Sequence, residues 1–257
     1  MNIIDTHAHY DHKQFNEDRH GLLSCLPGLG IEHVVNVGSD IKSTAASIKL
    51  AEKYPFIYAS VGVHPHYASI FEDPSNLGKL REFAKAKKVV AYGEIGLDFF
   101  HNFSPPDMQR EWFKKQLDMA SELEMPVIIH SRDANDEVFE IINSSTARKG
   151  VIHSFSGDAT LAARYIELGF YIGIGGVVTF KKADVLKEVC KKVPLAKMLL
   201  ETDCPYLAPH PFRGKRNDST KLELVAEEIA RIKRVSADEI CTSTTKNASD
   251  LFGIPEQ

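Results

Sequence analysis

The sequence predicts an α/β fold, a (β/α)8 barrel of the TIM type, from three observations. About eight short aliphatic or β-branched runs alternate with longer stretches of helical periodicity. The runs are continuously apolar rather than alternating, as strands become when helices cover a parallel sheet. Polar residues able to bind metal or move protons follow most of these runs. A barrel assembles such residues at one face, whereas a doubly wound sheet gathers them only at a switch point.

In chain order the runs are Ile3-Ile4, His33 to Val37, Phe56 to Val63, Val89 to Tyr92, Val127 to Ile129, Val151-Ile152, Phe170 to Ile174 and Met198 to Leu200. That is the strand number a barrel requires. Phe113, Leu117 and Ala120 form the apolar stripe of a helix for which Asp107 is a candidate N-cap. Asp133 and Asp158, just past the fifth and sixth runs, are candidate caps for the next two helices. Leu222, Val225, Ile229 and Ile232 mark one face of a charged helix after the last strand. No linker or repeat divides the chain, so residues 1–257 are expected to form one barrel domain.

Four scattered cysteines without a CxxC pair suit a reducing cytosol. The opening MNIIDTHAHYDH lacks the apolar stretch of a signal peptide, and no run approaches a membrane span of roughly 18 residues. A cytoplasmic protein without membrane contact is expected. The net charge of -4 argues against coating nucleic acid by bulk electrostatics. An enzyme that grips one or two phosphates at a metal centre is compatible with it.

The strand ends carry that chemistry. Asp5, His7 and His9 follow the first run, His64 and His66 the third, Glu94 the fourth, His130 the fifth, His153 the sixth, and Glu201 and Asp203 the eighth. Alternate residues of a strand share a face, so His7 and His9 can chelate one ion. Eleven histidines make a chance His-x-His easy, and a second stands at His64 and His66. The argument therefore rests on the set. Imidazoles with carboxylates suit Zn, Mn, Ni or Fe. Six ligands exceed the need of one catalytic zinc and match two ions sharing a carboxylate. Glu94, in the middle of the strand order, is the expected bridge. His7, His9 and Asp203 are assigned to one ion, and His130 and His153 to the other.

Charge then suggests a substrate class. Two divalent ions bring four positive charges against two from Glu94 and Asp203. A phosphodiester fills the difference better than a neutral amide. Coordination brings the pKa of a bound water toward neutrality, and Asp203 is placed to orient that water or take its proton. Arg213, Lys215 and Arg216 flank Gly214 in the loop after Asp203, where a phosphate clamp is expected. Arg132 follows His130 and is a further candidate. Lys181 and Lys182 are less informative.

Several blocks resemble one family. DTHAHYDH at the N-terminus, GVHP from Gly62, GEIGLDFF from Gly93, PVIIHSRDA from Pro126, HSFSGD from His153, GFYIGIGG from Gly169, LLETDCPYLAP from Leu199 and RGKRN from Arg213 resemble the TatD family. They run in order along nearly the full chain. The resemblance implies a barrel of the metallo-dependent hydrolase superfamily and a metal-dependent deoxyribonuclease that trims 3′ ends. By the same resemblance, His7, His9, Glu94, His130, His153 and Asp203 map onto the metal ligands and His64 onto a substrate contact. Ser154 stands where members often carry Cys, and Asp218-Ser219 where they carry Glu-Pro; neither is a proposed ligand. His66 and His101 receive no role, and Glu201 shares a strand face with Asp203, from which it could orient a ligand.

The expected protein is thus a monomeric hydrolase with two divalent ions (Zn, Mn, Ni or Mg) acting on single-stranded DNA or 3′ ends. The alternatives are a small-molecule amidohydrolase or phosphotriesterase and a D-aminoacyl-tRNA deacylase on the same site. Many of the former bridge their metals with a carboxylated Lys, and here Glu94 occupies that strand end. A retired barrel that only binds metal would lack a ligand, and none is lost.

Overall fold

The computed structural model describes residues 2–70 and 75–255. Eight parallel strands form one sheet in the order β1 to β8: Ile3–Ala8, Ile31–Asn36, Ile57–Val61, Val89–Asp98, Val127–Arg132, Gly150–Ile152, Tyr171–Ile174 and Met198–Leu200. A helix follows each strand in turn: α1 (Arg19–Cys25), α2 (Ile41–Lys53), α3 (Ser75–Phe83), α4 (Pro106–Glu122), α5 (Asn135–Ser144), α6 (Ala159–Glu167), α7 (Asp184–Lys192) and α8 (Leu222–Lys233). A ninth, α9 (Ala237–Phe252), is the last helix among the described residues. The sheet is a nearly closed barrel. Its last seam is made by the loop after β8, where Asp203 N–H donates to His7 O and His9 N–H to Cys204 O, both at 2.9 Å.

Two apolar clusters divide the strand residues by parity. Ile4, Val35, Ala91, Ile128, Val151 and Leu199 turn into the barrel, where Leu251, Phe252 and Ile254 close its floor. Their neighbours Ile3, Val34, Tyr92, Ile129, Ile152 and Leu200 turn outward and pack beneath the helices. Both faces being covered explains the unbroken apolar runs. On α4, Phe113, Leu117 and Ala120 are buried as the stripe requires, and on α8 Leu222, Val225 and Ile229 are.

Of the expected caps, Asp158 accepts from Leu161 N–H and caps α6. Asp107 lies inside the first turn of α4, because Pro106 starts that helix and Pro105 is the cap. Asp133 falls one residue short of the α5 cap, at a left-handed φ of 52°. Among the described residues, no helix is long and apolar enough to cross a membrane.

Candidate metal centre

His130, His153, Glu201 and Asp203 reach the barrel mouth by counting in twos from inward Ile128, Val151 and Leu199. Two other positions need more. Counting from Ile4 leads to Thr6 and Ala8, yet the β1–β2 register shifts between Asp5 and Ala8 and presents His7 and His9 instead. Counting from Ala91 leads to Gly93, and the β4–β5 register shifts between Tyr92 and Ile95 to present Glu94. Such bulges re-aim side chains beside active sites. The glycines around Glu94 permit the close approach: a Cβ at Gly96 would sit 1.9 Å from His130 O, and one at Gly93 would sit 2.5 Å from Ile128 O.

The structure brings His7, His9, His64, Glu94, His130, His153 and Asp203 to one point. Glu94 is buried at the centre, and its two oxygens face different partners. Oε2 lies 3.5 Å from His7 Nε2 and 3.8 Å from His9 Nε2. Oε1 lies 2.8 Å from His130 Nδ1, 3.5 Å from His64 Nε2 and 3.9 Å from His153 Nε2. Asp203 Oδ1 completes the ring, 3.5 Å from His9 Nε2 and 3.9 Å from His7 Nε2 and His153 Nε2. Most of these separations exceed a hydrogen bond and suit donors arranged around an ion.

Surrounding contacts fix which nitrogen faces the gap. His9 Nδ1 lies 3.1 Å from Val37 O, which can only accept, so in the neutral ring Nε2 carries the inward lone pair. His130 turns Nε2 to Asp98 Oδ2 at 3.1 Å, leaving Nδ1 toward Glu94. His153 turns Nδ1 to Glu201 Oε1 at 3.0 Å, leaving Nε2 inward. Glu201 also accepts from Ser154 N–H, and Gly173 leaves it room, since a Cβ there would meet Glu201 Oε2 at 2.4 Å. His64 differs. Its Nδ1 accepts from His66 N–H at 3.1 Å, so in the neutral ring Nε2 carries the proton. In that form His64 presents a proton to the gap rather than a lone pair, although its ring also groups with Glu94 and His130 as a set able to hold an ion.

The electrostatics fit a cation. Burial opposes ionisation of Glu94, but His64, His7 and His130 outweigh it and hold the carboxyl well below the usual range. Burial also opposes the imidazolium of His153, yet Glu201, then Asp203 and Glu94, push it up to about 10. His9 is likewise desolvated but pushed up to about 9 by Asp203 and Glu94. Protons are thus held between buried acids and imidazoles, the positions that divalent ions take over when they bind and release protons.

A cleft of about 490 Å³ opens over His130, His153 and Asp203, with Arg132 and Lys182 in its lining. Arg132 lies over the exposed Phe100 ring, 4.5 Å from its centroid. Arg213 and Lys215 are exposed on the loop after β8 and do not line this cleft; Arg213 stacks on Phe180 at 4.6 Å. Arg216 is committed to Asp18 by two hydrogen bonds. Asp98 and Lys182 come to the site without a signal from sequence spacing, whereas Glu201, read from the strand face it shares with Asp203, lies against His153. For Asp98 the signal was the length of β4, which continues through GEIGLD beyond its apolar start.

A family profile described as "TatD related DNase" matches residues 4–253. The chain is 41% identical over 254 residues to the uncharacterized metal-dependent hydrolase YabD of Bacillus subtilis, covering 98% of this chain and 99% of that one. It is 31% identical over 259 residues to the 3′-5′ ssDNA/RNA exonuclease TatD of Salmonella typhimurium, covering 98% and 99%. Its fold superposes on the TatD homologue YjjV of Escherichia coli K12 with a TM-score of 0.92 at 33% identity, over 98% of both chains. With an acidic and histidine-rich centre at the mouth of that barrel, the chain belongs to the TatD family of metal-dependent hydrolases.

Proposed function

We propose that the protein is a deoxyribonuclease that removes nucleotides from single-stranded DNA or 3′ ends with two divalent ions (Zn, Mn, Ni or Mg). One observation carries the reading: the oxygens of Glu94 serve two separate groups of imidazoles. His7, His9, Asp203 and Glu94 Oε2 would hold one ion, and His130, His153 and Glu94 Oε1 the other. When bound, such a pair polarises a phosphoryl oxygen and brings the pKa of water near neutrality.

The rest falls to the chain. Asp203, partly open to the cleft, orients the attacking water and takes its proton. His64 Nε2–H donates to a phosphate oxygen. Arg132 and Lys182 draw the phosphate backbone along the cleft, with Arg132 able to fork two oxygens. Two ligand carboxylates leave an anionic substrate to complete neutrality. The Salmonella typhimurium relative, a 3′-5′ ssDNA/RNA exonuclease, supports the same substrate class. We read residues 1–257 as one domain, acting as a monomer in the cytoplasm.

The test supplies the protein, loaded with Mn or Mg, with 5′-labelled single-stranded DNA. A ladder shortening one nucleotide at a time from the 3′ end is expected. Parallel assays use a phosphotriester, a lactone and D-aminoacyl-tRNA. Turnover of one of these with intact DNA would overturn the nuclease reading.

Arg132→Ala should raise KM about tenfold, the worth of one charge-assisted hydrogen bond, and flatten the salt dependence. Arg213→Ala, outside the cleft, should do the same to a smaller degree. Neither should change metal content. A KM and salt response unchanged in Arg132→Ala would remove the clamp.

A further inference from the structure

The loops after β3 and β4 meet at Asp98, a buried carboxylate outside the proposed two-ion centre. Its Oδ2 lies 2.8 Å from His66 Nε2, 3.0 Å from His101 Nδ1 and 3.1 Å from His130 Nε2. Its Oδ1 already accepts the backbone N–H of His101 at 2.8 Å. A carboxylate offers about four lone-pair sites on its two oxygens, about two on each. Three ring nitrogens are one more than Oδ2 can serve. His130 has a fixed orientation, because its other nitrogen faces Glu94. The surplus therefore concerns His66 and His101.

Those two rings are also the more exposed of the three, His130 being 17% exposed. Their side chains are 23% and 34% exposed, against 1% for Asp98. Asp98 is presented from a fixed backbone: its N–H donates to Gln109 Oε1 at 2.8 Å and its carbonyl accepts from Gln109 Nε2 at 3.1 Å. Phe103 forms an apolar wall behind the rings, stacked on His101 at 5.4 Å and edge-on to His66 at 4.9 Å.

We propose that His66 Nε2, Asp98 Oδ2 and His101 Nδ1 form a further divalent-cation site on the rim of the mouth, separate from the centre at Glu94. The three atoms lie within 4.8 Å of one another. Two imidazoles and one carboxylate, with a fourth position open to water, are a donor set that suits zinc. A cation takes the lone pairs of His66 and His101, so Oδ2 binds the cation and keeps one hydrogen bond, from His130. Zinc–ligand distances of about 2.0–2.2 Å require donor atoms a few tenths of an ångström further apart than now. Two partly exposed rings on loops can move that far while Asp98 stays. The site would anchor the Nε2 edge of His130 through a neutralised carboxylate.

Counting zinc tests it. The full-length protein is stripped with a chelator, reloaded with excess zinc, dialysed and measured by mass spectrometry of the metal. His101→Ala and His66→Ala should each bind one zinc per chain fewer than wild type. The difference is read whatever number the central site holds, so failure here and failure of the two-ion reading are separate results. With cobalt in place of zinc, Glu94→Gln should keep a visible absorption band that Glu94→Gln combined with His101→Ala loses. His101 is exposed, so its variants should melt as wild type does, and His101→Asn repeats the test if His66→Ala does not fold. Unchanged zinc content in the His101 variants would overturn the site: the histidines would then only neutralise Asp98.

Discussion

Glu94→Ala is expected to reduce hydrolysis of single-stranded DNA by about 10³-fold or more, and Asp203→Ala to do the same. The magnitude follows from the several kcal/mol that an ion pair contributes to a phosphoryl transition state, at 1.36 kcal/mol per tenfold. Glu94 turns one oxygen to each imidazole group, so its loss uncouples them at once. Metal content should fall with activity in Glu94→Ala. Asp203 meets only His7, His9 and His153, so Asp203→Ala should lose less metal for a similar loss of rate. Both residues lie at the mouth, outside the two apolar clusters, and unfolding midpoints should stay near wild type. Activity within tenfold of wild type in both variants would end the mechanism.

The strands were legible because each is a short apolar run covered on both faces, and all eight stand where the runs placed them. β4 was read short. It continues from Tyr92 to Asp98 through Gly93 and Gly96, which carry no side chain to extend an apolar pattern. The proposed ligands were legible as residue types at strand ends, since His130, His153 and Asp203 follow the parity of their strands. His7, His9 and Glu94 reach the mouth only through register shifts, which no periodicity encodes. Glu201 was legible from the strand face it shares with Asp203, but Asp98 was harder still. It meets His66 and His130 through contacts set by barrel closure rather than local spacing. The basic loop shows the reverse case: charge density at Arg213 and Lys215 suggested a clamp, while the cleft itself is lined by Arg132 and Lys182.

Asp5→Ala should cost the most stability of any single change near the site, about 4 kcal/mol. Asp5 is fully buried where β1 meets the loop after β8. Its carboxylate accepts from Thr202 N–H at 3.0 Å, Thr202 Oγ1 at 2.7 Å, Ser219 Oγ at 2.6 Å and His7 N–H at 3.3 Å. Burial pushes the carboxyl up to about 6, while the bonds from Ser219 and Thr202 draw it down. Alanine strands these donors in a dry seam at about 1–3 kcal/mol each, softened where the hydroxyls find other acceptors. A loss of that size lowers Tm by about 10 °C in a chain this long. Asp5→Asn should lose roughly half as much, because the amide oxygen still accepts and the two hydroxyls can rotate to accept from its NH2. The same seam joins Asp203 N–H to His7 O, so Asp5→Ala should also hold its metal less tightly, although Asp5 faces no ion. Glu94→Ala is expected to lose activity with little change in Tm, and Asp5→Ala to lose Tm first. A loss below about 1 kcal/mol for Asp5→Ala in urea unfolding would show that the apolar clusters alone close the barrel.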